Sequence, residues 1–247
     1  NDKRRFLYFN GGRGSGKSTA ATLKLASMIE DGTILPGARI AIFGPTYPQL
    51  KKGTIQTFDK WFDTMELTLK KIEGSEPERR LVNDIVAYFR NASNPDQTRG
   101  HEVQVVWLDE VAQMDEHVIP LTNALLRQFG DDAPYQTLMT STPRGQNWLY
   151  RMFVDPTTRR FEESKVGYYH SSTVEAYEYG IVREDYIEEL GYDPGSTIWE
   201  QEVLAEFVTW SGLVFPYKSA MTPDPFILPK LTRVYGGIDI GTASPTC

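Results

Sequence analysis

Gly11-Gly12-Arg13-Gly14-Ser15-Gly16-Lys17-Ser18 fits the pattern G-x-x-x-x-G-K-[ST], and the residues on either side of it decide the fold class. Glycines at these positions let successive backbone N–H groups wrap a phosphate, and a helix starting at the lysine adds positive potential there. The context agrees. Residues 5–9 form a short apolar run of the kind that makes a strand buried on both faces. From Lys17 onward apolar residues recur at Ala21, Leu25, Met28 and Ile29, the period of one helical face, and Gly32 supplies a left-handed stop. Strand, glycine loop and helix imply a triphosphate site at Gly11 to Thr19. In it Lys17 reaches the β- and γ-phosphates of ATP and Ser18 ligates Mg2+, with Thr19 as the second candidate ligand. The opposing reading is a glycine-rich turn with no ligand.

The alternation continues along the chain. Residues 38–43 read as the next buried strand, residues 49–62 as a helix with apolar spacing at Ile55, Phe58 and Phe62, and residues 81–89 as a hairpin turning at Asn83-Asp84. Residues 103–108 are a third apolar strand, 115–129 a helix, 136–141 a fourth strand, 147–153 a helix and 166–170 another strand. Residues 185–190 and 197–207 read as a helical pair forming a small lid. Strands alternating with helices imply an α/β fold with a mainly parallel central sheet flanked by helices. Pro216, Pro223, Pro225 and Pro229 mark residues 211–232 as a linker, after which 233–240 reads as a new strand. The expected domains are therefore 1–210, the linker 211–232, and the start of a second domain at 233–247.

Composition narrows the class of partner. The 247 residues carry 26 Lys and Arg against 33 Asp and Glu, a net charge of −7, which argues against a protein that coats nucleic acid over its whole surface. No apolar stretch is long enough to cross a bilayer. The polar start running straight into a strand shows no secretory leader, so an intracellular location is expected. The single cysteine, Cys247, and the three histidines have no metal-ligand spacing, so any metal must be held by oxygen atoms.

Val105-Val106-Trp107-Leu108-Asp109-Glu110 supplies the second half of the chemistry: an apolar strand delivering two carboxylates to the same end of the sheet as the glycine loop. Asp109 is placed to hold the Mg2+ shell, and Glu110, one residue further, to orient and deprotonate the attacking water. Alone the pair is a weak signal, because acids commonly cap strand ends. No Ser-Gly-Gly run of the ABC type and no Asn-Lys-x-Asp guanine-reading motif occurs, which sets aside transporter and GTPase readings. Two alternatives stay open, a helicase-like DNA translocase and a nucleotide-dependent interaction module without turnover.

The chain resembles the large terminase subunit, the DNA-packaging motor of tailed bacteriophages. The resemblance rests on Gly12-Arg13-Gly14-Ser15-Gly16-Lys17-Ser18, Gly44-Pro45-Thr46-Tyr47, Arg99-Gly100, Trp107-Leu108-Asp109-Glu110, and Thr140-Ser141-Thr142-Pro143-Arg144-Gly145 followed by Asn147-Trp148. It implies an ATPase that moves double-stranded DNA into a capsid, assembled as a homo-oligomeric ring on the portal protein with the small terminase subunit as a further partner, in the cytoplasm of the infected bacterial host. It also implies a coupling role for Ser141 and Thr142, and identifies Gly236-Gly237-Ile238-Asp239-Ile240-Gly241 with the first strand of the family's RNase H-like nuclease. A two-metal nuclease needs several convergent carboxylates. With the sequence ending soon after Asp239, no DNA cleavage is expected of this chain. Arg99 follows the loop signal Asn94-Pro95-Asp96 and is the choice for a trans-acting arginine finger; Arg13 is the rival better placed in cis, and Arg79, Arg80 and Arg127 are others.

Overall fold

The apolar runs that flank the glycine loop become neighbours in one sheet. The computed structural model describes residues 2–92, 102–130, 133–158, 161–183 and 185–209. Chain contacts separate Asn1–Trp210 from Ser211–Cys247. The linker and Asp239 both lie outside the described residues, as does Arg99.

β1 (Phe6–Gly11) leads through the glycine loop into α1 (Lys17–Glu30). β2 (Arg39–Gly44) is followed by α2 (Tyr47–Gln49), a π-helical turn at Leu50–Thr54 and α3 (Ile55–Thr64). Next come β3 (Thr68–Ile72), β4 (Glu78–Leu81), β5 (Val86–Asn91), β6 (Val105–Asp109) and α4 (Val118–Leu125). The chain closes with β7 (Gln136–Ser141), α5 (Trp148–Phe153), β8 (Val166–Ser171), α6 (Thr173–Glu178), α7 (Tyr186–Glu189) and α8 (Thr197–Glu202). The eight strands lie in the order β3-β4-β5-β2-β6-β7-β1-β8, with β5 through β8 of that order parallel and β3 and β4 antiparallel at one edge.

Alternate residues of each central strand feed two cores. Leu7, Ile40, Ile42, Val105, Trp107 and Leu138 pack under α1 and α3, while Phe6, Tyr8, Ala41, Phe43, Val106, Leu108 and Met139 pack under α4 and α5. Burial on both faces is why these strands read as continuous apolar runs rather than alternating ones. Because the strands are parallel, the C-terminal ends of β1, β6 and β7 meet at one edge of the sheet, the usual place for a ligand in an open α/β fold.

Three sequence expectations change. The hairpin at Asn83-Asp84 is real, with both residues at positive φ (57° and 58°), but its first strand is Glu78–Leu81, paired in turn with an unforeseen β3. β3 exposes Leu69, Lys70 and Lys71, so it carries no apolar alternation to read. The helix expected over 115–129 is only Val118–Leu125, because Leu126 pairs with Val103 and draws the chain off the helix axis. The expected helix 197–207 stops at Glu202, because the carbonyls beyond it are taken by other elements: Val203 O by Thr173 N, Leu204 O by His170 Nε2 and Ala205 O by Asn10 Nδ2. α6 has no counterpart in the sequence reading. No helix among the described residues is long and apolar enough to cross a membrane.

Candidate nucleotide-binding site

The glycine loop is held from outside, which leaves its inner rim open. Gly12 N donates to Ser171 O (3.0 Å), Arg13 N to Glu202 O (2.8 Å), and Thr173 Oγ1 to Arg13 O (2.7 Å). The fit is close: a Cβ on Gly12 would lie 2.5 Å from both Thr173 Oγ1 and Val203 O. Gly16, at φ 82°, turns the chain into α1, whose first N–H groups have no partner within the helix, and Gly14 and Lys17 line the cleft beside this turn. Ser15 Oγ is buried without a hydrogen-bond partner.

β6 brings the acids to that cleft. Asp109 is buried and receives three hydroxyl hydrogen bonds, from Ser18 Oγ (3.1 Å) and Thr140 Oγ1 (2.6 Å) on Oδ1 and from Thr54 Oγ1 (2.6 Å) on Oδ2. Trp107 Nε1 donates to Thr140 Oγ1 (2.8 Å), so the chain of donors runs into the core. Glu110 leaves the strand in a left-handed conformation (φ 54°, ψ 41°), a strain of roughly 1–2 kcal/mol for a residue with a side chain. That turn aims its carboxylate back at the loop, where Oε1 lies 3.6 Å from Lys17 Nζ. Gln113 Nε2 reaches Glu110 Oε2 at 3.5 Å, and Gln113 Oε1 accepts from Gln49 Nε2 at 3.0 Å. Burial pushes the Glu110 carboxyl above its ordinary value; Lys17 opposes this, Asp109 adds to it and Gln113 opposes it.

The cleft has a volume of about 780 Å³, the size of a small-molecule site. Besides Lys17 and Glu110 it is lined by Arg13, Gly14, Lys52, Thr142, Arg144, Tyr186 and Glu202. The structure thus brings together the glycine loop, Lys17, Ser18, Asp109, Glu110 and Thr142. Ser141 sits behind them, buried, accepting from Ala112 N (3.1 Å) and donating to Thr142 O (2.9 Å). Arg13 turns to Glu202 on α8, with Nε 2.8 Å from Oε2. Among the finger rivals, Arg79 is only 1% exposed and is bound to Asp59 and Glu73, so it is a structural cation. Arg127 pairs with Glu102 beside the N-terminal end of β6, the wrong end of the sheet. Thr54, Gln49 and Gln113 escape sequence reading. Gln113 alone carries a signal, its place one short turn after Glu110.

The oxygen donors suit a hard divalent cation. Ser18 and Asp109 present a hydroxyl and a carboxylate side by side, and Mg2+ commonly takes only one or two protein oxygens, completing its shell with phosphates and water. No group of three or more His, Cys, Asp and Glu that could hold a metal occurs among the described residues.

A parallel sheet with a glycine loop after its first strand and acids at the end of a core strand separated from it by one strand, β7, defines a P-loop α/β domain. The family model described as terminase large subunit, T4likevirus-type, N-terminal, matches residues 8–220, and the chain belongs to that family. The fold is shared with the large terminase of a thermophilic bacteriophage (TM-score 0.66, 15% identity, covering 84% of this chain and 49% of that one). It is also shared with the large terminase ATPase domain of Thermus phage P74-26 (TM-score 0.55, 23% identity, 84% and 90% covered). The HK97 bacteriophage large terminase matches at TM-score 0.61 and 14% identity, with 82% and 47% covered. The chain spans about half the length of the thermophilic-phage and HK97 proteins. A comparison with curated proteins yields no match.

Proposed function

We propose that residues 1–210 are the ATP-hydrolysing motor domain of a viral large terminase, which drives double-stranded DNA into a capsid. The observation that carries this reading is the convergence of Lys17, Ser18, Asp109 and Glu110 on one cleft at the C-terminal edge of the sheet. The large terminase of the thermophilic bacteriophage has been solved with ADP and with ATP-gamma-S, which supports a nucleotide as the occupant. Lys17, now shared with Glu110, meets the β- and γ-phosphates, and the loop amides surround them. Glu110, freed from Lys17 by the incoming phosphate, orients the attacking water and accepts its proton at Oε1 or Oε2. Ser18 and Asp109 hold Mg2+, which when bound neutralises charge developing on the phosphate oxygens. Thr142 faces the cleft, Ser141 clamps the loop that follows Glu110, and Gly145 N donates to Gln201 Oε1 on α8 (2.9 Å). Movement at the γ-phosphate thus has a continuous route through the coupling residues to the lid helices.

In this reading 211–232 is a linker and 233–247, with Asp239, begins a nuclease domain. Ring assembly on the portal protein, with the small terminase subunit as partner and in the host cytoplasm, completes it. The test is phosphate release in the presence of DNA. Lys17→Ala is expected to lower turnover by roughly 10²- to 10³-fold, the usual effect of removing one preorganised charge donor. Glu110→Gln is expected to bind nucleotide with near-native affinity and lose turnover by a similar factor. Native hydrolysis by Lys17→Ala sinks the site assignment, and loss of binding by Glu110→Gln makes Glu110 structural.

A further inference from the structure

The helix after β2 contains one residue too many for its own core face. Leu50, Ile55, Phe58 and Phe62 are all buried, yet Leu50 and Ile55 are five positions apart, which on a regular α-helix places them about 140° from each other. The π-helical turn absorbs the extra residue: Ile55 N donates to Leu50 O, an i to i−5 bond. Such wide turns are rare and are found mostly at functional sites. Here the turn puts Ile55 on the core face and Thr54 beside it, 4% exposed, with its hydroxyl 2.6 Å from Asp109 Oδ2.

We propose that Thr54 is a positioning residue for the metal site, fixing the Asp109 carboxylate so that Oδ1 stands next to Ser18 Oγ. The proposal rests on the nucleotide-site reading above. Asp109 Oδ1 is shared between Ser18 and Thr140, whereas among the described residues Thr54 is the hydroxyl donor to Oδ2. Without it a buried carboxylate oxygen loses its partner and the carboxylate plane can turn about the Cβ–Cγ bond, carrying Oδ1 away from Ser18. Hydrogen-bond partners of metal ligands commonly change metal affinity by roughly 10- to 100-fold when removed. Thr54 touches neither phosphate nor water in this scheme, and its effect passes entirely through Asp109.

The experiment is an equilibrium titration of Mg2+ into protein and a fluorescent non-hydrolysable ATP analogue, run beside the same binding measurement in EDTA. Thr54→Val keeps the side-chain volume and removes the hydroxyl; Thr54→Ala is the second variant if the first does not fold, and Thr54→Ser restores the donor. Expected is a Mg2+ midpoint raised about ten-fold or more in Thr54→Val, EDTA affinity within about two-fold of native, and a native midpoint in Thr54→Ser. A native midpoint in Thr54→Val or Thr54→Ala overturns the proposal. So does an equal loss of affinity with and without Mg2+, which marks a structural threonine. If the unaltered protein binds the analogue with no Mg2+ dependence, the metal-site reading itself fails and the role of Thr54 falls with it.

Discussion

At the scale of single residues, Glu110 is the most informative group in the cleft. Its burial opposes an ionised carboxylate, and Lys17 and Gln113 only partly offset that. A general base must be ionised to accept a proton, so turnover falls as pH drops through the Glu110 value in the free enzyme. That value is raised, so the acid limb of kcat/KM is expected above the ordinary 4.5, and Gln113→Leu, which removes a hydrogen bond to the ionised form, is expected to move it further up. A pH–rate profile with its acid limb at or below the ordinary glutamate value counts against Glu110 as the base. Stability follows with the opposite emphasis. A carboxyl whose folded value lies above its unfolded one contributes its full stability below the unfolded value and loses it as pH rises through the folded value. At neutral pH the neutral Glu110→Gln protein should therefore melt no lower than the native one, which separates loss of chemistry from loss of fold.

At the scale of elements, the antiparallel edge carries its own test. Arg79, on β4, is buried and bound to Asp59 on α3 through Nε (2.8 Å) and Nη2 (3.0 Å), with Glu73 and two backbone carbonyls completing its donors. Removing one partner of a buried pair costs roughly 3–5 kcal/mol when the other is stranded; here Asp59 keeps Lys71 at 3.4 Å and Glu73 faces solvent, so the low end, about 3 kcal/mol, applies. Arg79→Ala is expected to lower denaturant stability by about that amount, and a loss below about 1 kcal/mol would show the pair to be effectively solvated. This edge is also where the sequence is hardest to read. Central strands are legible because burial on both faces leaves unbroken apolar runs, as in Val105-Val106-Trp107-Leu108, and the glycine loop because it needs particular residues at particular spacing. β3 has a solvent face and charged side chains, α4 is cut short by a tertiary pairing at Leu126, and the π-turn is invisible because Thr54 looks like any helical threonine. Lys17, Ser18, Asp109 and Glu110 are legible as neighbours; the hydroxyls and amides that orient them come from elements distant in sequence, joined only by the fold.

At the scale of the whole molecule, the proposed reaction calls for an arginine at the γ-phosphate. Of the cations that line the cleft, Lys17 is engaged with Glu110 and Arg13 with Glu202, while Lys52 and Arg144 stand at its rim; hydrolysis in ring motors gains from an arginine that a neighbouring subunit inserts at the γ-phosphate. β5 runs parallel to β2 and ends opposite Gly44, so the chain leaves it at the same edge of the sheet as Asp109, on the way to the segment that holds Arg99. Arg99 is proposed as that inserted arginine. An arginine acting in trans can raise turnover by roughly 10³- to 10⁵-fold, so Arg99→Ala should be nearly inactive while retaining nucleotide binding. The decisive measurement mixes Arg99→Ala with Lys17→Ala under conditions that favour assembly. One protein then offers an intact glycine loop and the other an intact arginine, and interfaces that combine the two should recover part of the native phosphate release. A mixture that assembles but stays inactive, or an Arg99→Ala protein that hydrolyses ATP at the native rate, removes Arg99 from that role and leaves the exposed Arg144, which lines the same cleft from the β7 side, as the arginine to test next in cis.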